Sequence, residues 1–569
     1  MTRSLPILCL CAFAALSNVN VSVAASPAFS PLDCTWNGFL CTETVDSIGY
    51  DGSYTGHDEP SLLFYSNGSG SGNSMTWTLR VPADPPTLPN QDGTGGTFNF
   101  QLHPAFWLGM AMCDDQSAPN PGGSTVNGVT LTQARCKPDS DSNVYISSTV
   151  ADSHYVGRHP GAAYMEMQFY PPSSPIGCGN PDHVNQWCAA LNIDSYSFNQ
   201  NTRVANNPAC LNTYGLEPVN FAYITKSGSP EGPSALAGSA GFFGFIPADA
   251  DTLFLNSGDW LRIEMTDTEH GLKITIHDLT TGDTGSMIAS AANGFTQILY
   301  QPTATACTTQ PADFHPMYAS TSEKTTVPWA AHTYNIAFAD ELGHYEYCNQ
   351  IDGSGGTDPY GDVYGNCTVD GVNDLNSNNA LIGDDDYGCV DTTNNTVGFV
   401  PNIGCTGTDT DFSGVPYQLA WPGTLRDIHA DRRLHPTPIT FTSPLFTDRH
   451  GRRHNYSRVA FENDMPRIEA ADFGGNCNRT TGVGCTNPPP NANFYPIYTI
   501  QAGEDGCRWS LGGPYLPGTT NDFGGNTTAE YGALNPAIYP YPDGPHSVID
   551  TFHRTLPNNP CRNGGHDDD

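Results

Sequence analysis

Basic residues are scarce in this chain. Of its 569 residues, 22 are lysine or arginine and 58 are aspartate or glutamate, which gives a formal net charge of −36 at pH 7. Such a charge repels phosphate backbones and anionic lipid headgroups. The sequence therefore argues against nucleic acid and anionic membrane surfaces as partners.

Long apolar runs and several common motifs are also missing. After residue 25 no stretch approaches the roughly 20 apolar residues that a transmembrane helix needs, so we expect no membrane span. The sequence holds no G-x-S-x-G, no P-loop and no C-x-x-C motif. Serine hydrolase, nucleotide-using and thioredoxin-like functions therefore lose their main sequence support.

The first residues predict export. Residues 1–25 hold one charge, Arg3, then a short apolar run and small residues before Ala25, which is the pattern of a secretory signal. Two of the 18 cysteines, Cys9 and Cys11, lie in this segment, and the remaining sixteen are an even set suited to a disulfide framework. Six N-x-S/T sequons beyond the signal are candidate glycosylation sites. We expect a secreted protein, extracellular or associated with the cell wall.

Alternation of apolar and polar residues predicts strands rather than helices. Segments 74–81 and 164–170 alternate with period two. Segments 260–267 and 272–278 are typical of a hairpin, with the apolar sets of the two strands on one face. With 59 glycines and 46 prolines supplying turns, the expected fold class is all-β. More specifically, we expect a jelly roll or β-sandwich with a disulfide-rich, loop-rich C-terminal region.

Charge divides the chain into segments. Between Lys324 and Arg426 there are 14 acidic and no basic residues, whereas residues 426–467 hold eight arginines. We predict a signal peptide over 1–25, a β-sandwich over 32–348 and an acidic segment rich in glycine, asparagine and aspartate over 349–425. A cysteine- and proline-rich β region over 426–561 is expected to pack on the rest.

The predicted strand 164–170 carries the main candidate site. Its polar face holds Tyr164, Glu166, Gln168 and Tyr170, and its apolar face holds two methionines and a phenylalanine. This strand places a carboxylate between aromatic and amide side chains. In this pattern the chain resembles, over about residues 60–347, the concanavalin A-like lectin and glucanase superfamily. The resemblance implies a sugar-binding sheet face and, for the glycosidases of that superfamily, a catalytic glutamate on such a strand. The C-terminal part is similar to uncharacterised secreted microbial proteins, which implies no activity.

A second carboxyl group is required for glycoside hydrolysis, at roughly 5 Å or 6.5–9.5 Å from the first. Glu264, on the polar face of its predicted strand with Arg262, is the candidate catalytic partner of Glu166. The candidate ligand-binding residues are Tyr164, Gln168, Tyr170 and Trp260, because aromatic rings stack on sugar rings. The alternative interpretation is a strand glutamate paired with an arginine on a solvated face.

The acidic segment contains a candidate calcium site. Asp409, Asp411 and Ser413, followed by a glycine, match the start of a calcium loop, although the closing glutamate of an EF-hand is missing. Asp370 and Asp374 supply further oxygen ligands nearby. Calcium is therefore the candidate cofactor. The alternative is a solvated acidic loop neutralised by the arginines of 426–467.

Three functional hypotheses remain open. The first is a protein that binds an extracellular polysaccharide or glycan, with calcium as a candidate cofactor. The second is a glycoside hydrolase that uses Glu166 and Glu264. The third is a non-catalytic surface, wall or filament protein that self-associates, for which large exposed edges or patches are expected.

Overall fold

The computed structural model describes a set of segments distributed over most of the chain. The described residues are 61–66, 68–81, 106–116, 125–126, 128–130, 135–143, 151, 161–170, 182–183, 185–195, 198–199, 204–215, 218–231, 236–238, 250–317, 327–333, 356–357, 363–364, 389–391, 396–400, 440–463, 498–503, 506–511, 534–538, 548–556 and 559–563. The candidate calcium ligands and the predicted signal lie outside them.

The larger of two main sheets has twelve strands in the described part of the chain, all paired antiparallel. Its strands are β1 (Ser61–Ser66), β3 (Phe106–Asp114), β6 (Gly161–Tyr170), β7 (Gln186–Ser195), β10 (Pro218–Tyr223), β11 (Ala237–Gly238), β12 (Leu255–Asn256), β18 (His315–Pro316), β19 (Val327–Thr333), β27 (Arg458–Asn463), β30 (Leu534–Ile538) and β31 (Val548–Leu556). Ten of them follow the order β11-β10-β7-β6-β3-β19-β1-β27-β31-β30, while β12 pairs with β7 and β18 with β3.

The second main sheet has nine described strands, also antiparallel. They are β2 (Ser74–Arg80), β13 (Trp260–Thr268), β14 (Gly271–Asp278), β15 (Thr284–Ile288), β24 (Thr440–Thr442), β25 (Leu445–Thr447), β26 (Arg453–Asn455), β28 (Tyr498–Gly503) and β29 (Gly506–Leu511). Seven of them follow the order β15-β14-β13-β2-β24-β29-β28, and β25 joins β2 to β26.

Small elements complete the described part. Five two-stranded ribbons are β4 (Thr125–Val126) with β5 (Val129–Thr130), β8 (Phe198–Asn199) with β9 (Val204–Ala205), β16 (Thr296–Ile298) with β17 (Thr309–Pro311), β20 (Gly356–Thr357) with β21 (Val363–Tyr364), and β22 (Cys389–Asp391) with β23 (Thr396–Val400). Helix α1 spans Pro208–Tyr214, and 3₁₀ turns cover Ser140–Asn143, Ala291–Asn293 and Pro560–Asn563. The all-β class is therefore confirmed.

One apolar core lies between the two main sheets. Its buried residues include Met110 and Met165 from the twelve-stranded sheet and Trp77, Ile263 and Ile274 from the nine-stranded sheet. Strand β2 shows the cause, since its residues alternate between buried and partly exposed along Ser74–Arg80. Period-two sequences bury one face of each strand, so the two sheets pack with these faces together.

The predicted hairpin is confirmed, and the structure gives its register. Ile263 lies opposite Ile276 and Met265 lies opposite Ile274, so the apolar sets of β13 and β14 do share one face. The strands meet at Gly271, whose φ of +106° is unfavourable for other residues. A Cβ atom at this position would also lie 2.3 Å from the carbonyl oxygen of Ala289. The glycine is therefore required both by its backbone angle and by a close approach.

Strands from beyond residue 426 belong to the same two sheets. Strand β27 pairs with β1 in the twelve-stranded sheet, and β24 and β25 pair with β2 in the nine-stranded sheet. The boundaries predicted near 349 and 426 stay predictions, but the described strands on both sides of them form continuous hydrogen-bonded ladders. The described strands beyond residue 440 are thus members of these two sheets.

Disulfide bonds are present, as the even cysteine set predicts. Cys113 bonds to Cys136, Cys210 to Cys307, and Cys507 to Cys561. Cys188 is also disulfide-bonded. These bonds are compatible with an extracellular location. Within the described residues, none of the helices has the length and apolar character to cross a membrane.

Candidate functional site

The polar face of β6 is largely buried at Glu166 and Tyr170, whereas Gln168 is partly exposed. Met165, Met167 and Phe169 point into the main core, as the alternation predicts, so Glu166 and Gln168 lie on the opposite face of the sheet. Glu166 is only 6% exposed and Tyr170 only 2%. Tyr170 packs there in a second apolar cluster with Phe221 and Tyr223 of β10. Around Glu166 and Tyr170 this face is therefore a buried polar and aromatic layer.

A chain of side-chain hydrogen bonds runs along this face. The Nδ2 group of Asn192 on β7 donates to the hydroxyl of Tyr170 at 3.3 Å. That hydroxyl donates to Oε1 of Gln168, and Nε2 of Gln168 donates to Oε2 of Glu166. The chain orients the Glu166 carboxylate through two neighbouring side chains of its own strand.

A second buried carboxylate lies beside Glu166. Glu166 is directly opposite Asn192 in the β6–β7 ladder, and Tyr164 is opposite Asp194. Asp194, which is 6% exposed, is therefore the diagonal neighbour of Glu166 on the same face. Diagonal neighbours in an antiparallel pair lie about 7–8 Å apart between backbone positions. On its other side Glu166 faces Gly109 of β3, which has no side chain.

Electrostatics at Tyr170 support this grouping. Burial raises the pKa of the Tyr170 hydroxyl well above its ordinary value, and the negative charges of Glu166 and Asp194 and the phenol of Tyr223 raise it further. The hydrogen bond from Asn192 acts in the opposite direction. The hydroxyl therefore keeps its proton and remains a donor to Gln168 at any physiological pH.

Glu264 lies on a different surface. Leu261, Ile263 and Met265 of β13 enter the core, so Glu264 is on the outer face of the nine-stranded sheet, with the core between it and Glu166. The structure does not bring the two glutamates together, and the predicted catalytic pair is wrong on this geometry. The reason is nonlocal, because the two strands joined different sheets. Glu264 instead forms an ion pair with Arg262, 2.9 Å from Nε to Oε1, in agreement with the alternative interpretation.

The outer face of the nine-stranded sheet is polar and open. Glu264 and Arg262 have 40% and 45% of their side chains exposed, and His277 lies 3.8 Å from the same Glu264 oxygen. Nearby, the guanidinium of Arg508 on β29 lies over the ring of Trp260, 4.9 Å from its centroid. Trp260 is half-buried. The threonines on this face include Thr76, Thr78, Thr266 and Thr275.

Several predicted site residues lie wholly or partly outside the described part of the structure. Asp409, Asp411, Ser413, Asp370 and Asp374 lie outside the described residues, and only the backbone of Tyr164 is described. Within the described part of the chain, no group of three or more histidine, cysteine, aspartate or glutamate side chains is arranged to hold a metal ion. Calcium binding at the predicted residues stays a prediction.

Sequence reasoning missed Asn192 and Asp194. Strand β7 is buried along both faces, with nine consecutive buried residues after Gln186, so its apolar residues do not alternate clearly. The one available signal was the alternation of polar Asn192 and Asp194 with Leu191 and Ile193 at the end of the strand.

Comparison of the chain with protein-family models, with curated proteins and with solved structures finds no match. The resemblance to the concanavalin A-like superfamily therefore stays a prediction.

Proposed function

We propose that this protein is a secreted, disulfide-stabilised β-sandwich of the jelly-roll type that binds extracellular carbohydrate. The observation that carries the proposal is the outer face of the nine-stranded sheet, where the Trp260 ring lies beside a charged and hydroxylated surface. The two sheets on one core support the sandwich assignment. The disulfides support an extracellular location.

The chemistry of this face suits a sugar. Aromatic rings pack against the apolar faces of pyranoses, and Trp260 provides a large ring whose position Arg508 restrains. Sugar hydroxyls both donate and accept hydrogen bonds, and the Arg262–Glu264 pair offers donors and acceptors at fixed separation. Because these side chains are partly exposed, a glycan reaches them without rearrangement of the sheet.

A glycan array with the full chain tests the proposal. Binding is expected for the native protein and is expected to weaken by about tenfold or more, equivalent to about 1.4 kcal/mol, in Trp260→Ala. Trp260→Phe retains an aromatic face and should retain part of the binding, whereas Asn212→Ala, at an exposed position of helix α1 outside the sheet, is a control. No binding to any glycan, with or without EDTA, would remove the proposal.

Calcium is part of the proposal through Asp409, Asp411, Ser413, Asp370 and Asp374. The same array separates the two claims. Binding that disappears in EDTA and returns with added calcium supports calcium dependence. Binding that is unchanged in EDTA removes calcium as cofactor and leaves carbohydrate binding intact. If the array is blank and the protein forms large particles in light scattering, the self-associating structural function is favoured instead.

A glycoside hydrolase is the second candidate, with Asp194 in the place predicted for Glu264. It is favoured by two buried carboxylates, Glu166 and Asp194, at diagonal positions on adjacent strands of the same sheet face. If hydrolysis is found on any glycan, Glu166→Gln and Asp194→Asn should each reduce its rate severely. Asp283→Asn, on an exposed turn, is the matched control. An unchanged rate in Glu166→Gln removes this candidate.

A further inference from the structure

The tip of the hairpin β25–β26 concentrates basic residues in a chain that has few. Residues 448–454 include three arginines and two histidines. Together with the turn between β1 and β2, four of them line a cavity of about 500 Å³, namely Arg449, His450, Arg452 and His454. Phe446 forms part of its wall. This volume is in the usual range of small-molecule sites.

Asp448 holds the hairpin tip in place. Its Oδ1 accepts hydrogen bonds from the backbone nitrogens of His450 at 2.8 Å and Arg452 at 2.9 Å. Its Oδ2 accepts from Nε of Arg452 and lies 3.0 Å from Nε2 of His454. The backbone donation from Arg452 and these further contacts lower the pKa of Asp448 well below its ordinary value. The carboxylate therefore stays ionised and its oxygens are occupied by donors.

Arg449 is fixed from the other side of the cavity. Its Nη2 lies 2.5 Å from Oδ2 of Asp141, and its Nε donates to the hydroxyl of Ser69. Asp141 also accepts from the Ser69 hydroxyl at 2.6 Å and from the Gly70 nitrogen at 3.2 Å. Burial opposes ionisation of Asp141, but these donors outweigh it and lower its pKa. Three segments distant in sequence therefore position one guanidinium.

After these contacts are made, hydrogen-bond donors of the two arginines remain available for a ligand. Arg449 and Arg452 each use Nε and Nη2, and among the described residues no contact is recorded for either Nη1 group. The ring of His450 likewise has no recorded contact within the described residues. A planar guanidinium held in position loses little entropy on binding an oxyanion, and such charge-assisted bonds are strong.

We infer that this cavity is a binding site for a small organic anion, in which a carboxylate, sulfate or phosphate group contacts Arg449, Arg452 and His450. The cavity is larger than a bare oxyanion requires, so the ligand includes a body about the size of a sugar ring. The site lies at the hairpin tip, away from Trp260, and does not depend on the proposed glycan face. Asp448 and Asp141 make the local charge nearly neutral, so direct hydrogen bonds rather than the long-range field provide the affinity.

Calorimetric titration of the full chain tests this inference with four probes of similar size. Glucuronate, glucose 6-sulfate and glucose 6-phosphate are expected to give saturable binding for at least one of the anionic groups, and the pattern identifies which. Glucose, which lacks the anion, is expected to give none. Equal binding of glucose, or no saturable binding of any anionic probe, would overturn the inference.

Binding measurements on variants distinguish a specific anion site from nonspecific attraction to positive charge. Arg449→Gln and His450→Ala should each weaken binding by about tenfold or more. His450 decides the matter if Arg449→Gln unfolds, because its side chain has no recorded contact among the described residues. Arg453→Gln is the matched control, since this exposed arginine is on β26 but does not line the cavity. An equal loss in Arg453→Gln would show mere electrostatic attraction and contradict the site.

Discussion

Removing one partner of the buried pair of His315 and Asp267 should strongly destabilise the fold. Nδ1 of His315 lies 2.7 Å from Oδ1 of Asp267, and the two side chains are only 5% and 1% exposed. The second carboxylate oxygen of Asp267 is buried and has no hydrogen-bond partner among the described residues. Removing the histidine would leave a desolvated carboxylate without its main counterpart. Breaking a buried pair in this way costs about 3–5 kcal/mol, and we expect His315→Ala to lower the free energy of unfolding by that amount near neutral pH.

The cost should shrink at acidic pH. Burial raises the pKa of Asp267, the negative Asp139 adds to the rise, and His315 opposes it. A carboxyl group with a raised folded pKa adds stability that is fully present below the unfolded pKa of about 3.9 and is lost as pH rises through the folded pKa. Without His315 this pKa rises further, so protonation relieves the buried charge over a wider pH range.

Urea unfolding of the full chain with its disulfides intact measures both effects, at pH ~7 and pH ~5. His270→Ala is the matched control, because this histidine is exposed on the turn of the same hairpin. Asp267→Asn removes the charge and keeps the shape, so in this background His315→Ala should cost much less. A cost below about 1 kcal/mol, or an equal cost at both pH values, would refute the reasoning.

Two further predictions concern the backbone and the disulfides. Gly271→Ala should lower the free energy of unfolding by about 1–3 kcal/mol more than Gly282→Ala, because both have positive φ but only the first places a Cβ against Ala289. Equal losses in denaturant titrations would contradict this. The double variant Cys210→Ala, Cys307→Ala opens a link between residues 97 positions apart, so its unfolding free energy should fall by about 4–5 kcal/mol. An unchanged melting temperature would show that this bond adds no stability.

Local sequence patterns predicted the strands whose two faces differ in polarity. Strand β2 and the hairpin β13–β14 bury alternate residues, so their period-two signal is clear and it predicts which residues share the core face. Strand β7 is buried on both faces, and its signal is a nearly continuous apolar run. Asp194 was missed for this reason, although it lies on the same face as Glu166.

Long-range pairing was beyond reach of the sequence alone. Alternation correctly places Glu166 and Glu264 on polar faces of their strands, but it contains no information on which sheet each strand joins. Strand β6 lies between β3 and β7, and β13 lies between β2 and β14. The choice depends on nonlocal ladders, including those with strands beyond residue 440, and on the shared core. The local sequence thus determines whether a residue lies on the polar face of its strand. Whether two such residues meet as a catalytic pair depends on how the strands are arranged in the sheets.

The ion pairs of the arginines also depend in part on long-range contacts rather than on the local sequence. Neutralisation of the acidic segment by the arginines after residue 426 was the alternative to a calcium site, and it stays a prediction because the side chains of 349–425 lie outside the described residues. Among the described arginines, Arg449 pairs with Asp141 and Arg452 with Asp448, both outside residues 349–425. Exposed pairs of this kind contribute little stability by themselves, so their main effect is to orient guanidinium groups around the cavity at the hairpin tip. In a chain with 22 basic residues and 58 acidic ones, two arginines held in position at one cavity are better explained by a bound anion than by bulk neutralisation.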